Sequence, residues 1–179
     1  MPGPLAADQD AVKSAAGAPP NPFVFSLSDM PANRQTEGGM VQVQDSTNLK
    51  VATTVASALV TVHPGVMREM HWHPNADEWQ YYVKGTAQMM VVGAGRKAVT
   101  TNFAPGDIGY INRSNGRYVK NIGDTDLVFL EVFNASQYAS ISLSDWLAHT
   151  PRAMVTAHFN ISPEDIAKIP KNIPDVVPL

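Results

Sequence analysis

The sequence predicts an all-β fold, a closed barrel or sandwich followed by a few short helices. Short runs of β-branched and aromatic residues recur at near-regular spacing, separated by Gly, Pro, Asn and Asp. Strand and helix patterns do not alternate, and no internal repeat is visible, which argues against a parallel α/β sheet. Helix start signals gather at the end of the chain.

Residues 1–21 are rich in Ala, Pro and Gly without periodicity and read as a mobile tail. Residues 22–140 read as the barrel. Strands are expected at 23–27, 40–43, 50–54, 58–62, 67–71, 78–83, 87–92, 98–103, 108–111, 118–122 and 127–133. Residues 141–179 read as a helical extension. Ser142, with Asp145 in the first turn, opens a helix over 143–149. Thr150 and Pro151 supply a second cap-then-proline start. Ser162 and Pro163 supply a third, for a helix that stops near Pro170.

The chain has 179 residues, which suits one domain with tails. Hydrophobic residues make up 44% and charged residues 16%, enough apolar surface for a closed core. The net charge of −3, from 13 basic and 16 acidic side chains, includes no basic stripe, so no nucleic-acid partner is expected. The apolar runs are too short for a helical membrane span, and no membrane association is expected. There are no cysteines, so any metal must be held by nitrogen and oxygen ligands. Residues 1–20 lack the charged-then-apolar pattern of a signal peptide, and both a mature secreted and a cytoplasmic location fit the sequence.

The chemistry concentrates between Gly65 and Gly85. Alternate side chains of a strand share a face, so His71 and His73 point the same way. Residues 74–77 can turn the chain, and Glu78 then begins the neighbouring strand and returns to the same point. Two imidazoles and a carboxylate form a facial set with open positions, suited to Mn, Fe, Co, Ni or Zn.

Gly65, His71, His73, Glu78 and Gly85 resemble the first conserved motif of the cupins at every position. The likeness extends through residues 68–82, 106–110, 121–124 and 127–131 and into the helix at 142–148. From about residue 23 to 170 the chain resembles the oxalate decarboxylase branch, most closely the second cupin domain of its two-domain enzymes. The resemblance implies a jelly-roll barrel and a divalent metal on His71, His73 and Glu78, manganese first and iron as the alternative. It implies a small carboxylate substrate: oxalate converted to formate and carbon dioxide with dioxygen required, or, in a related branch, oxidised to carbon dioxide and peroxide. It places Arg68 where the family binds the substrate carboxylate, and Glu131 where a carboxylic acid lies near the metal.

One departure is pronounced. The second cupin motif supplies a fourth ligand, a histidine, and here that position is Arg117, with Asn112 in place of the usual proline. Gly106, Gly116 and Asn121 keep their places. An arginine stays protonated and cannot ligate a metal. Three outcomes follow: Arg117 swings outward and leaves a three-ligand site, it pairs with Glu78 and displaces the metal, or it binds a carboxylate substrate bidentately. The first is the expectation. Histidines 63, 149 and 158 lie outside the cluster and are expected at the surface or in packing.

Arg68, Glu131 and Arg117 are the candidate catalytic residues. Strict alternation puts Arg68 on the face opposite His71, so its entry into the pocket requires a bulge near Glu69. Glu131 shares parity with Leu127, Phe129 and Phe133, and desolvation in that apolar row favours the neutral acid, as a proton donor requires. Met70, Trp72, Trp79, Tyr81 and Val83 make the opposite faces apolar as well. Such a sheet needs cover, from residues 23–27 or from a twin subunit, so a homodimer or higher homo-oligomer is expected. The leading reading is a metal-dependent oxalate decarboxylase-like enzyme. The alternatives are another metal-dependent cupin dioxygenase, isomerase or lyase, and a degenerate cupin that binds without catalysis.

Overall fold

The computed structural model describes residues 23–169 and 174–179; the expected tail at 1–21 and Pro170 lie outside them. Two antiparallel sheets face each other across one apolar core, the jelly roll that the sequence implies. The first sheet holds β1 (Arg34–Thr36), β2 (Gly39–Gln44), β3 (Ala56–Val62), β10 (Leu127–Phe133), β5 (Glu78–Lys84) and β8 (Ile108–Ile111), in that spatial order. The second holds β11 (Ile141–Ser142), β4 (Val66–Trp72), β9 (Gly116–Asn121), β6 (Ala87–Gly93) and β7 (Lys97–Phe103), with β12 (Val176–Pro178) also paired to β4.

The alternation in the sequence becomes the wall of the core. Along β10, Leu127, Phe129, Glu131 and Phe133 are buried while the residues between them are half-buried. Val60, Val62, Tyr82, Met89, Ile111 and Val119 close the core from the other strands, and Tyr82 stacks between Phe103 and Phe129. The opposite parity leaves Met70, Trp79, Tyr81 and Val83 exposed.

Three helices follow the barrel: α1 (Leu143–His149), α2 (Arg152–Phe159) and α3 (Pro163–Ala167). Ser142 caps α1 by accepting from the Asp145 amide, and Ser162 caps α3 by accepting from the Asp165 amide. The Thr150 hydroxyl instead donates to the Trp146 carbonyl and closes α1, so the cap position of α2 falls to Pro151. Trp146 of α1 meets Trp72 edge to face at 5.8 Å, so a helix covers part of the outer face of the second sheet.

Two expected strands are absent from the described residues. Residues 23–27 run into a single 3₁₀ turn, Leu27–Asp29, because Ser26 bonds to Asp29 through both backbone and side chain. Residues 50–54 lie in turns. Asp45 accepts from the amide and hydroxyl of Thr47 and from the amide of Leu49, which folds the chain back before a strand can extend. The extension expected to be helical also contributes β11 and β12, too short to show alternation. A further correction concerns β4 and β5. They belong to different sheets, so residues 74–77 cross between sheets rather than joining neighbouring strands. No described helix is long and apolar enough to cross a membrane.

Asn121 fixes the end of β9. Its buried amide donates to the carbonyls of Val62 and Thr125 and accepts from the amide of Gly123. Asn121→Leu strands those backbone groups and is expected to cost about 2–4 kcal/mol, read as a lowered urea midpoint. An unchanged midpoint would show that water replaces the amide.

Candidate metal and carboxylate site

The cluster forms where β4 and β9 of one sheet face β5 and β10 of the other. His71 and His73 arrive from β4 and the residue beyond it, Glu78 from the start of β5, Glu131 from β10, and Arg117 from β9 directly opposite His71 in the ladder. Arg68 enters because the β4–β9 register shifts between Arg68 and His71, which turns its side chain inward. All six side chains are buried.

The histidines are oriented by their own backbone surroundings. His71 Nδ1 lies 2.7 Å from the Glu69 carbonyl, and His73 Nδ1 lies 2.5 Å from the Ala139 carbonyl. A carbonyl can only accept, so both Nδ1 atoms carry the proton and both Nε2 lone pairs remain open. Neither Nε2 has a hydrogen-bond partner. Burial, then the charges of Arg68 and Arg117, hold the pKa of His71 well below the ordinary imidazole range. Burial, then Arg117, brings that of His73 down to about 3. Two neutral imidazoles with free inward nitrogens suit a cation.

Glu78 is held from behind. Its Oε1 accepts from Gln80 Nε2 at 2.6 Å, and the Tyr82 hydroxyl donates to Gln80 Oε1 at 2.7 Å. Its Oε2 faces His73 Nε2 at 3.3 Å and is in contact with Arg117 Nη2. Burial pulls the Arg117 pKa down to about 10, which leaves the guanidinium charged at neutral pH.

The expected ligand trio is therefore not the trio the structure brings closest. His73, Glu78 and Glu131 offer ligand atoms within 4.8 Å of one another, and His71 is not part of that group. Arg117 turns into the pocket and pairs with Glu78, so the outward swing expected of it is not the state observed. The donor set fits a divalent cation in its open nitrogens and its carboxylates. Arg117 opposes that fit, because its charge already occupies Glu78.

Arg68 is wholly buried. Its Nη1 donates to the Asp175 carbonyl at 2.9 Å, and its Nη2 donates to the Tyr138 hydroxyl at 3.1 Å. Burial disfavours its charge, but Tyr138, Asp175, Glu131 and Glu69 together raise its pKa above the ordinary value. Glu131 carries two carboxylate oxygens with no hydrogen-bond partner. Gln80, Tyr82, Tyr138 and Asp175 were not read as site residues from sequence. Gln80 and Tyr82 share the parity of Glu78 and were legible by that rule, whereas Tyr138 and Asp175 lie in irregular segments with no periodic signal.

A family profile described as Cupin matches residues 25–167. Oxalate decarboxylase OxdC of Bacillus subtilis (strain 168) is 48% identical over 161 residues, covering 90% of this chain and 41% of that protein. A probable oxalate decarboxylase of Arthroderma benhamiae (strain ATCC MYA-4681 / CBS 112371) is 40% identical over 151 residues, covering 83% of this chain and 37% of that one. A solved structure of Bacillus subtilis oxalate decarboxylase, from work on its Mn(II) centres, aligns with a TM-score of 0.87 and 45% identity over 100% of this chain and 47% of that one. The chain thus spans less than half the length of these relatives. With the jelly roll, the His-x-His and glutamate cluster and a profile match over most of its length, the chain belongs to the cupin family.

Proposed function

We propose that this cupin is a metal-dependent enzyme of the oxalate decarboxylase type, acting on a small carboxylate. The observation that carries the reading is the pair of buried imidazoles with open Nε2 atoms, that of His73 3.3 Å from the Glu78 carboxylate, with a buried guanidinium, Arg68, beside them. His71, His73 and Glu78 would hold the ion, with Glu131 next to them, and the similarity to a manganese protein favours manganese over iron. When bound, the metal supplies Lewis acidity and, with dioxygen, redox capacity. Arg68 binds and neutralises the substrate carboxylate. Glu131, unpartnered in an apolar row, gives or takes a proton at the reacting carbon.

Arg117 weakens this site, because its guanidinium must leave Glu78 before the carboxylate can ligate. A second reading, a cupin that binds a carboxylate without metal chemistry, is favoured by that same contact. The outer face of the first sheet, with Trp79 stacked on Tyr81 and with Ile108 and Tyr110 exposed, supports self-association into a dimer.

Metal analysis is expected to find one divalent ion per chain, of low affinity, and none after His71→Ala. Full occupancy in that variant would reject the ligand assignment. Arg117→His is expected to tighten manganese binding by at least about tenfold, since it removes a repulsive charge and adds a ligand. Unchanged affinity would mean that Arg117 binds substrate instead.

Oxalate turnover, followed as formate and carbon dioxide with a parallel peroxide assay, is expected to be low in the native chain and higher after Arg117→His. Glu131→Gln should lower it about 100-fold while leaving metal content intact. Equal turnover would make Glu131 structural. Light scattering is expected to show a dimer or larger assembly at micromolar concentration, and a monomer alone would remove the case for self-association.

A further inference from the structure

The segment after residue 173 returns to the barrel and joins the site. β12 pairs with β4 at Val66, Met67 and Arg68, with Val176 opposite Arg68. The Asp175 carbonyl accepts from the Glu69 amide at 3.0 Å and from Arg68 Nη1 at 2.9 Å. Its carboxylate lies 3.6 Å from the same Nη1 and accepts from Arg34 Nη1 at 2.6 Å. Asp175 and Val176 are both buried, whereas Arg34 is largely exposed. Arg68 Nη1 thus meets a backbone carbonyl and two carboxylates, Asp175 and, at 3.4 Å, Glu69, and its Nη2 meets the Tyr138 hydroxyl, while its Nε has no hydrogen-bond partner.

We propose that Asp175 is a positioning residue: through this contact the C-terminal strand fixes the Arg68 guanidinium in the orientation that receives a substrate carboxylate. The inference rests on the reading of Arg68 as the carboxylate anchor. A buried arginine on a bulged strand has several rotamers of similar packing; Glu69 Oε1 already lies 3.4 Å from Nη1, and without Asp175 the guanidinium would turn further toward Glu69 or Glu131 and away from the pocket. The Asp175 carbonyl and carboxylate hold it against that turn. Arg34 offsets part of the Asp175 charge from outside, so Arg68 keeps positive potential toward the pocket. Asp175, the residue before β12, lies 107 residues from Arg68 in sequence, and the pairing of β12 with the edge of β4 brings the two together.

The test uses the 179-residue chain freed of metal, with oxalate as the probe in titration calorimetry and urea unfolding run in parallel. Asp175 borders a cavity of about 240 Å³ with Arg34 and Tyr138, so an amide or one extra methylene fits without overpacking. Asp175→Asn is expected to weaken oxalate binding about tenfold. Asp175→Glu should recover most of that loss. The double variant with Arg68→Met should bind no more weakly than Arg68→Met alone. In unfolding, Asp175→Asn should lower the midpoint of the native chain by more than that of Arg68→Met, where only the Arg34 pair is lost. Unaltered oxalate affinity in Asp175→Asn, or losses that add to those of Arg68→Met, would overturn the positioning role. If the native chain and Arg68→Met bind oxalate equally, or neither binds it, the anchor reading is what fails. The unfolding cycle then still decides whether Asp175 restrains Arg68, and an equal midpoint shift in both backgrounds counts against it.

Discussion

Charge compensation inside a low-dielectric barrel is the constraint on which the site depends. Four carboxylates, from Glu69, Glu78, Glu131 and Asp175, share one end of the core with the guanidiniums of Arg68 and Arg117. None can be fully hydrated, so each must find its partner within the protein or lose its charge. Asp175 and Glu69 hold Arg68, Gln80 and Arg117 hold Glu78, and Ser142 donates to Glu69 at 2.6 Å. Glu131 is left without a hydrogen-bond partner among the described residues. Carboxylates outnumber the two buried guanidiniums, and a divalent cation held at this cluster would relieve that imbalance directly.

The barrel meets this constraint by means of strand geometry. The period of two puts Glu78, Gln80 and Tyr82 in one inward column, which hydrogen-bonds in sequence and fixes the carboxylate from behind. The same period sends Trp79, Tyr81 and Val83 outward. One irregularity, the register shift between Arg68 and His71, breaks parity at a single point and brings a guanidinium inside. The crossing at 74–77 passes from one sheet to the other, so the histidines and the glutamate approach from opposite walls and leave a space between them. A hairpin between adjacent strands would have put all three on one wall.

The long, strongly alternating elements were legible in the sequence. Strands β2 to β10 fall where β-branched and aromatic runs lie between turn residues, and Ser142 and Ser162 cap their helices as read. The failures share a cause. At 23–27 and 50–54, Ser26 and Asp45 form local hydrogen bonds that outcompete a short apolar run, and such competition is decided by geometry that a residue count does not contain. At β11 and β12 the strands are too short to carry a pattern and exist only because the edge of β4 offers hydrogen bonds. Of the site, the imidazoles and Glu78 were readable by spacing. Tyr138 and Asp175 were not, since each reaches Arg68 through tertiary docking.

Arg117 shows how one substitution can redirect such a site. In β9 it stands opposite His71, so its side chain must project between the two sheets whatever its identity. A histidine there would supply a neutral donor. Arginine supplies a permanent charge that is longer than imidazole, and Glu78 is the nearest place to neutralise it. The pair offsets the charge of both groups without an ion, while Glu131 beside it stays unpartnered. An entering cation must therefore displace an internal one, and the work of binding includes finding new company for a buried guanidinium. A small carboxylate can provide that company. Metal and substrate would then favour each other's arrival, the metal taking Glu78 and the carboxylate taking the arginines.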